Sequence, residues 1–171
     1  MELKGTQFIL RAWKKGDEIA LQKHANNKNI SRFLFDRFPN PYTLADAKEF
    51  VSGHLNQNPL RNFVISINDE VAGVIEFKPG LDIYRKTAVL GYWLGEPFWG
   101  NGIMTEAIAL ITGYAFNNFE VIRIQSHVNA NNPASMRVLE KAGFKKEGIL
   151  KKAIFKDGVI MDEHVYGLCK E

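Results

Sequence analysis

The sequence predicts an α+β fold, a mixed α/β sandwich in which about four helices flank a central, mostly antiparallel sheet of about seven strands. Three observations support this class. Runs rich in β-branched and aromatic residues recur along the chain, segments with helical periodicity lie between them, and tight turns join neighbouring runs. The 171 residues contain no repeat, linker or low-complexity tract, so one domain over residues 1–171 is expected.

The individual elements follow from local patterns. The predicted strands are residues 8–13, 63–67, 71–77, 87–94, 121–128, 149–155 and 159–168. The predicted helices are residues 17–26, a segment that begins after Thr43, residues 105–117 and residues 133–142. Between the first two helices, residues 29–42 are expected to form a loop.

Turn and cap residues mark the ends of these elements. The tripeptides at 68–70 and 156–158 are hairpin signals, so each is expected to join two antiparallel strands. Thr43 followed by Asp46 resembles a capping box. Asn132 is typical of a helix N-cap.

Alternation along the strand at 121–128 places Arg123, Gln125 and His127 on one face and apolar residues on the other.

Composition narrows the functional class. Hydrophobic residues make up 46% of the chain and charged residues 24%, and no run of eighteen apolar residues occurs, so neither disorder nor a membrane partner is expected. The net charge of +3 is too small and too dispersed to indicate nucleic-acid binding. One cysteine and four scattered histidines predict no metal site. Without a secretory signal at Met1, a cytoplasmic location is expected.

The segment 99–105, Trp-Gly-Asn-Gly-Ile-Met-Thr, is the main candidate for binding chemistry. A glycine-rich turn between a strand and a helix directs several backbone N–H groups to one point at the positive end of the helix dipole, which suits a phosphate. Two glycines by themselves are a weak signal, because a plain turn between two elements explains them without any ligand. The P-loop and dinucleotide-binding fingerprints both fail, because no Gly-Lys-Ser/Thr is present and Thr105 stands where the third glycine would be.

The surrounding motifs resemble the GNAT N-acetyltransferases, closest to their RimJ/RimL-like branch. The motifs that carry the resemblance are Gly91-Tyr92-Trp93, Trp99-Gly100-Asn101-Gly102-Ile103-Met104-Thr105-Glu106-Ala107, Asn132 with Ser135, and Gly143-Phe144. The likeness extends over essentially the whole chain and implies the acyl-CoA N-acyltransferase fold, with acetyl-CoA as cosubstrate.

The resemblance also implies roles for individual residues. Backbone amides of Trp99, Gly100, Asn101, Gly102, Ile103, Met104 and Thr105 would hold the CoA pyrophosphate. The strand end at Trp93 and Leu94 would separate from its neighbour, pair with the pantetheine and polarise the thioester carbonyl. Asn132 would contact the pantetheine arm. Ser135 would protonate the departing thiolate, although a capping role for Ser135 is an equal alternative.

The amine must lose a proton before it attacks, so a base is needed. Glu76 is the first choice, and a solvated or ion-paired strand carboxylate is the alternative explanation for it. Glu96 and the run 162–164 are further candidates. Four aromatic residues could line the acetyl pocket or simply belong to the core: Tyr92, Trp93, Phe98 and Trp99.

The expected function is direct acetyl transfer from acetyl-CoA to a primary amine in a ternary complex. The acceptor is either a protein N-terminal amine or a small amine, bound by the early helices, residues 29–42 and the final hairpin. Those segments carry Arg32, Asp36, Arg37 and Asp157, which suggest polar contact with the acceptor. A CoA-binding regulatory module without catalysis is the alternative from another class. The expected assembly is a monomer or a homodimer.

Overall fold

A computed structural model describes residues 1–171 and contains eight strands, five α-helices and two short 3₁₀ turns. The strands are β1 (Glu2–Lys4), β2 (Ile9–Arg11), β3 (Asn62–Ile67), β4 (Glu70–Pro79), β5 (Thr87–Leu94), β6 (Arg123–Asn129), β7 (Lys145–Lys156) and β8 (Val159–Cys169). The α-helices are α1 (Asp17–Ala25), α2 (Lys28–Ser31), α3 (Leu44–His54), α4 (Ile103–Asn118) and α5 (Pro133–Lys141), and the 3₁₀ turns are Asp82–Tyr84 and Glu96–Phe98. The α+β class is confirmed.

The strands form one sheet in the order β1-β2-β3-β4-β5-β6-β8-β7. β5 and β6 are parallel, and the other registered pairs are antiparallel. The sheet has one strand more than the expected seven, because the three-residue β1 pairs with β2 at one edge. The short helix α2 lies inside the segment that was expected to be a loop, so the loop prediction for residues 29–42 is wrong at its start.

Two compact units make up the chain. The N-terminal unit comprises Met1–Glu76 with Tyr92–Ile103, and the C-terminal unit comprises Phe77–Gly91 with Met104–Glu171.

An apolar cluster fills the N-terminal unit. Its buried members are Trp13, Leu21, Ala25, Tyr42, Ala47, Val51, Val64, Val71 and Val74. A buried ion pair ties the end of β2 to the start of α1: two Arg11 guanidinium nitrogens each donate to an Asp17 carboxylate oxygen over 2.8 Å. The charges satisfy each other, which is what allows them to lie in the interior.

Local signals fix the elements of this unit as expected. Thr43 and Asp46 form the capping box of α3, with the Asp46 N–H donating to the Thr43 hydroxyl over 3.2 Å and the Thr43 N–H donating to the Asp46 carboxylate over 2.7 Å. Asn68 and Asp69 have positive φ angles of 50° and 66°, the conformation of a two-residue hairpin turn. The predicted hairpin between β3 and β4 is therefore confirmed.

In the C-terminal unit, β8 lies between β6 and β7 and pairs with both. The β7–β8 hairpin turns at Asp157 and Gly158, both at positive φ, as the sequence predicted. α5 lies on the face of β8 that carries Tyr166, whose hydroxyl donates to Glu140 over 3.0 Å. None of the helices combines the length and apolar character that a membrane span requires.

Candidate functional site

The glycine loop leads from the 3₁₀ turn at Glu96–Phe98 into α4. Gly100 and Gly102 have φ angles of 80° and 75°, a region that residues with a side chain rarely adopt, and no protein atom lies within 4 Å of a Cβ built at either position. The N–H groups of Gly100, Asn101 and Gly102 donate no backbone hydrogen bond. The loop therefore presents uncommitted donors to open space at the start of a 16-residue helix.

Trp99 makes two hydrogen bonds within the protein. Its backbone N–H donates to the Glu96 carbonyl over 3.2 Å. Its indole Nε1 donates to the Leu94 carbonyl over 2.7 Å and so occupies the last acceptor of β5. The contact of the Trp99 amide with a phosphate stays a prediction, and in this structure the same N–H closes the 3₁₀ turn.

Side chains at the start of α4 point in two directions. Ile103 and Met104 are buried, so any contact they make with a ligand comes from their backbone. The first N–H groups of a helix have no intrahelical acceptor, which leaves these two amides oriented along the helix dipole. Thr105 is partly exposed, and its hydroxyl is the one polar side-chain group of this first turn that fits the predicted phosphate contact.

The end of β5 lies in tight contact with β4. Trp93 packs its ring against the apolar cluster and meets Phe38 edge-on with ring centroids 6.0 Å apart. A Cβ at Gly73 of β4 would lie 3.0 Å from the Leu94 Cα and closer still to the Trp93 carbonyl oxygen. Of the four aromatic residues considered for an acetyl pocket, Trp93 is partly buried against the apolar cluster. The Phe98 ring meets the buried His24 ring edge-on, with ring centroids 5.2 Å apart.

The ladder between β5 and β6 is short. Registered pairing runs only from Thr87↔Arg123 to Val89↔Gln125, although β5 continues to Leu94 and β6 to Asn129. At the next position the Ser126 hydroxyl donates to the Leu90 carbonyl over 3.2 Å, so a side chain replaces the backbone contact. The second half of β6 therefore keeps backbone donors and acceptors on this side that no strand uses.

Asn132 and Ser135 meet at the start of α5, as the sequence predicted. Asn132 is the N-cap, and its Oδ1 accepts the Ser135 N–H over 3.2 Å. The Asn132 Nδ2 donates no hydrogen bond within the protein, so it is available to a carbonyl of a ligand. The Asn132 backbone is itself held, since its N–H donates to the Asn129 carbonyl over 2.9 Å.

Glu76 lies in the N-terminal unit at the end of a buried relay. The Trp13 indole donates to Asn62 Oδ1 over 2.7 Å, and Asn62 Nδ2 donates to Glu76 Oε2 over 2.8 Å. Because an indole N–H can only donate, it fixes which end of the Asn62 amide faces the carboxylate. The Glu76 carboxylate is partly buried, and one of its oxygens accepts the hydrogen bond from Asn62.

Two of the other base candidates are less suited to accept a proton. Hydrogen bonds from Asn27 and Asn29 lower the pKa of Glu96, and Glu96 with Lys23, His24, Asn26, Asn27 and Pro97 lines a cavity of about 370 Å³. Hydrogen bonds from the Lys152 N–H and the Lys151 ammonium lower the pKa of Asp162. A lowered pKa makes each carboxylate a weaker base near neutral pH.

Register brings together a polar row that the sequence did not connect. On β6, His127 Nδ1 lies 3.0 Å from Glu163 Oε2 of β8, and His127 Nε2 lies 3.3 Å from Gln125 Nε2. His127 and Glu163 are 36 residues apart, so only the β6–β8 register joins them. The alternation of β6 was the sole sequence signal for this row.

Comparisons with known proteins agree with this arrangement. The acetyltransferase (GNAT) domain model matches residues 7–145. The probable N-acetyltransferase YjcK of Bacillus subtilis (strain 168) is 32% identical over 174 residues, covering 97% of this chain and 96% of YjcK. The ribosomal-protein-serine acetyltransferase of Escherichia coli (strain K12) is 35% identical over 125 residues, covering 71% of this chain and 69% of that protein.

The fold agrees as well. RimL, a ribosomal L7/L12 α-N-protein acetyltransferase solved in complex with coenzyme A, superposes with a TM-score of 0.86 at 26% identity, over 99% of this chain and 98% of RimL. The expected fold and the expected RimJ/RimL-like branch are both confirmed. The chain belongs to the GNAT family of acetyltransferases.

Proposed function

We propose that this acetyltransferase moves the acetyl group of acetyl-CoA directly to a primary amine, with both substrates bound at once and no acetyl-enzyme intermediate. The observation that carries the proposal is the glycine loop, whose N–H groups are uncommitted and whose Cβ positions are empty. Cys169, the single cysteine, is exposed and is the last residue of β8. It lies outside every motif of the site, so no thiol nucleophile is assigned.

The pyrophosphate binds to backbone donors. The N–H groups of Gly100, Asn101 and Gly102, followed by those of Ile103, Met104 and Thr105, converge on anionic oxygens where the helix dipole adds favourable charge. Positive φ at both glycines turns consecutive N–H groups toward the same side. Phosphate contacts of this kind need no lysine or arginine, and the loop has none.

The pantetheine arm extends the sheet by using backbone groups that strands leave free. The unpaired edge of β6 and the Asn132 Nδ2 supply contacts for its two amides. At the end of β5 the Leu94 carbonyl is taken by Trp99, so Trp93 and Leu94 contribute N–H donors rather than acceptors. One such donor stabilises the negative charge that develops on the thioester oxygen during transfer.

Ser135 returns a proton to the thiolate, and Glu76 is the sequence-based choice for the group that receives one from the amine. Ser135→Ala is expected to lower kcat by about 100-fold with little change in the Kd for acetyl-CoA, since a proton donor acts in the transition state. Equal losses in kcat and affinity would instead assign Ser135 to helix capping. Asn132→Ala is the matched comparison, because it should weaken acetyl-CoA binding first.

The acceptor is a protein N-terminal amine or a small amine such as a polyamine. The likeness to the ribosomal-protein-serine acetyltransferase supports the first class. A panel of N-terminal peptides with serine, alanine or methionine first, together with spermidine, lysine and an aminoglycoside, separates the two when free thiol release is followed with acetyl-CoA. Release that depends on an acceptor supports the proposal. Tight CoA binding without release from any acceptor would support the regulatory module.

A further inference from the structure

We propose that His127, held by Glu163, is the catalytic group that takes the proton from the acceptor amine. The inference deepens the proposed function and rests on it. His127 and Glu163 both belong to the C-terminal unit, and their side chains are 33% and 22% exposed. The His127 ring is therefore reachable from solvent.

The hydrogen bonds define the tautomer of His127. A carboxylate only accepts, so the contact between Glu163 Oε2 and His127 Nδ1 places the imidazole proton on Nδ1. In the neutral ring Nε2 then carries the lone pair. Its contact with Gln125 Nε2 is long, at 3.3 Å, and the acceptor ammonium replaces this amide as the donor when it binds. When Nε2 takes a proton, the positive ring stays in contact with the Glu163 anion. The arrangement stabilises the imidazolium that proton transfer creates.

Arg123 lies beside Gln125 on the same face of β6. Arg123 Nη2 donates to Gln125 Oε1 over 3.4 Å, a long contact that does not involve His127. Arg123 is itself paired with Glu147 of β7, one contact being 2.7 Å. Gly167 of β8 makes this pairing possible, because a Cβ there would lie 2.6 Å from the Glu147 carboxyl carbon. The charged groups on this face beside His127 are Glu163, Arg123 and Glu147, and the β5 residues in register with it, Thr87 and Val89, carry no charge.

The position of His127 along β6 connects it to the reaction. Gln125 is the last β6 residue in register with β5, and His127 is the next residue on the same face. It therefore lies where β6 first becomes unpaired, the edge assigned above to the pantetheine arm. The opposite face of β6 is buried, with Ile124, Ser126 and Val128 pointing into the core. His127 is the one titratable side chain on the exposed face of this unpaired segment.

The proton balance is complete without another reactant. The acceptor arrives as an ammonium ion, and His127 Nε2 takes one proton to leave a neutral amine. The amine lone pair forms the C–N bond at the thioester carbonyl carbon, and the C–S bond then breaks with its electron pair on sulfur. The second proton passes from nitrogen to the thiolate, by way of Ser135 in the proposed function. The products are the N-acetyl amine and free CoA, and the imidazolium releases its proton to solvent.

The test compares His127→Gln with Glu163→Gln, Glu76→Gln and the control His54→Gln. His54 lies on α3 with its Nδ1 2.7 Å from the Phe50 carbonyl. We expect His127→Gln to lower kcat/KM by about 100-fold or more, to abolish the acidic limb of the pH profile, and to leave the Kd for CoA unchanged. Glu163→Gln should also lower kcat/KM, because the imidazole then loses the carboxylate that accepts from its Nδ1. His54→Gln should behave as wild type.

A second variant tests whether a loss of rate comes from the missing imidazole or from incomplete folding. His127→Ala leaves space for added imidazole, which should restore part of the rate while the thermal midpoint of the variant stays constant. An unchanged acidic limb in His127→Gln, with its loss in Glu76→Gln, would overturn the inference and assign the base to Glu76. Wild-type protein that binds no CoA would overturn the proposed function itself, a result the CoA titration separates from failure of His127 alone.

Discussion

Replacement of Gly73 by alanine should destabilise the protein through the contact between β4 and the end of β5. The new methyl group would lie 3.0 Å from the Leu94 Cα and still nearer to the Trp93 carbonyl oxygen. Both are backbone atoms, so rotation of a side chain cannot relieve the overlap. Overpacking of this kind costs about 1–3 kcal/mol, and restricting the unfolded chain returns about 0.5 kcal/mol.

We therefore expect Gly73→Ala to lose about 2 kcal/mol of unfolding free energy, or roughly 4–8 °C of Tm for a chain of this size. Gly113→Ala is the matched control, because Gly113 lies within α4 and nothing is within 4 Å of its Cβ position. That variant should gain about 0.5–1 kcal/mol from helix propensity. Urea denaturation followed by circular dichroism measures both. A Gly73→Ala variant as stable as wild type would refute the close approach of the two strands.

Three further predictions concern charge, backbone conformation and pH. Asp17→Ala should cost about 3–5 kcal/mol in urea denaturation, because it leaves the buried Arg11 guanidinium without its partner; a loss under 1 kcal/mol would contradict this. Gly102→Asn should fold normally and bind CoA less tightly. Gly102→Val should also lose stability, since β-branched residues tolerate a φ of 75° poorly. Calorimetry with CoA measures the affinity of each variant, and a melting curve measures its stability. Burial raises the pKa of Tyr42 from 10.0 to about 12. The contribution of the buried phenol to the free energy of unfolding is therefore fully present below pH 10 and is lost as the pH rises through 12. Tyr42→Phe should remove this pH dependence in denaturation curves.

Local chemistry made part of the fold predictable. Four features each depend on a few adjacent residues, and all occur as expected: the turns at 68–70 and 156–158, the capping box at Thr43 and the N-cap at Asn132. The start of β7 escaped prediction because its strand conformation comes from pairing with the far end of β8. β1 was missed although β2 follows it closely, because three residues are too few to show an alternating pattern.

The candidate site likewise contains features that the local sequence predicts and features that depend on the folded chain. Glycines at positive φ could be anticipated at Gly100 and Gly102 from the sequence alone. The hydrogen bond of the Trp99 amide in a 3₁₀ turn could not, since it depends on how the chain folds back after Leu94. The contact of His127 with Glu163 depends on the register of two distant strands, and no local pattern encodes it.

The two edges of the sheet are protected in different ways. β1 offers only three residues to an incoming strand. β7 is long, but it carries Lys145, Lys146, Lys151, Lys152 and Lys156, and its register shifts between Leu150 and Ile154. A second copy aligned along β7 would bring like charges together on an irregular edge. β7 thus also disfavours pairing between two copies of the chain along this edge. Exposed apolar side chains such as Phe155 are thereby kept from starting aggregation.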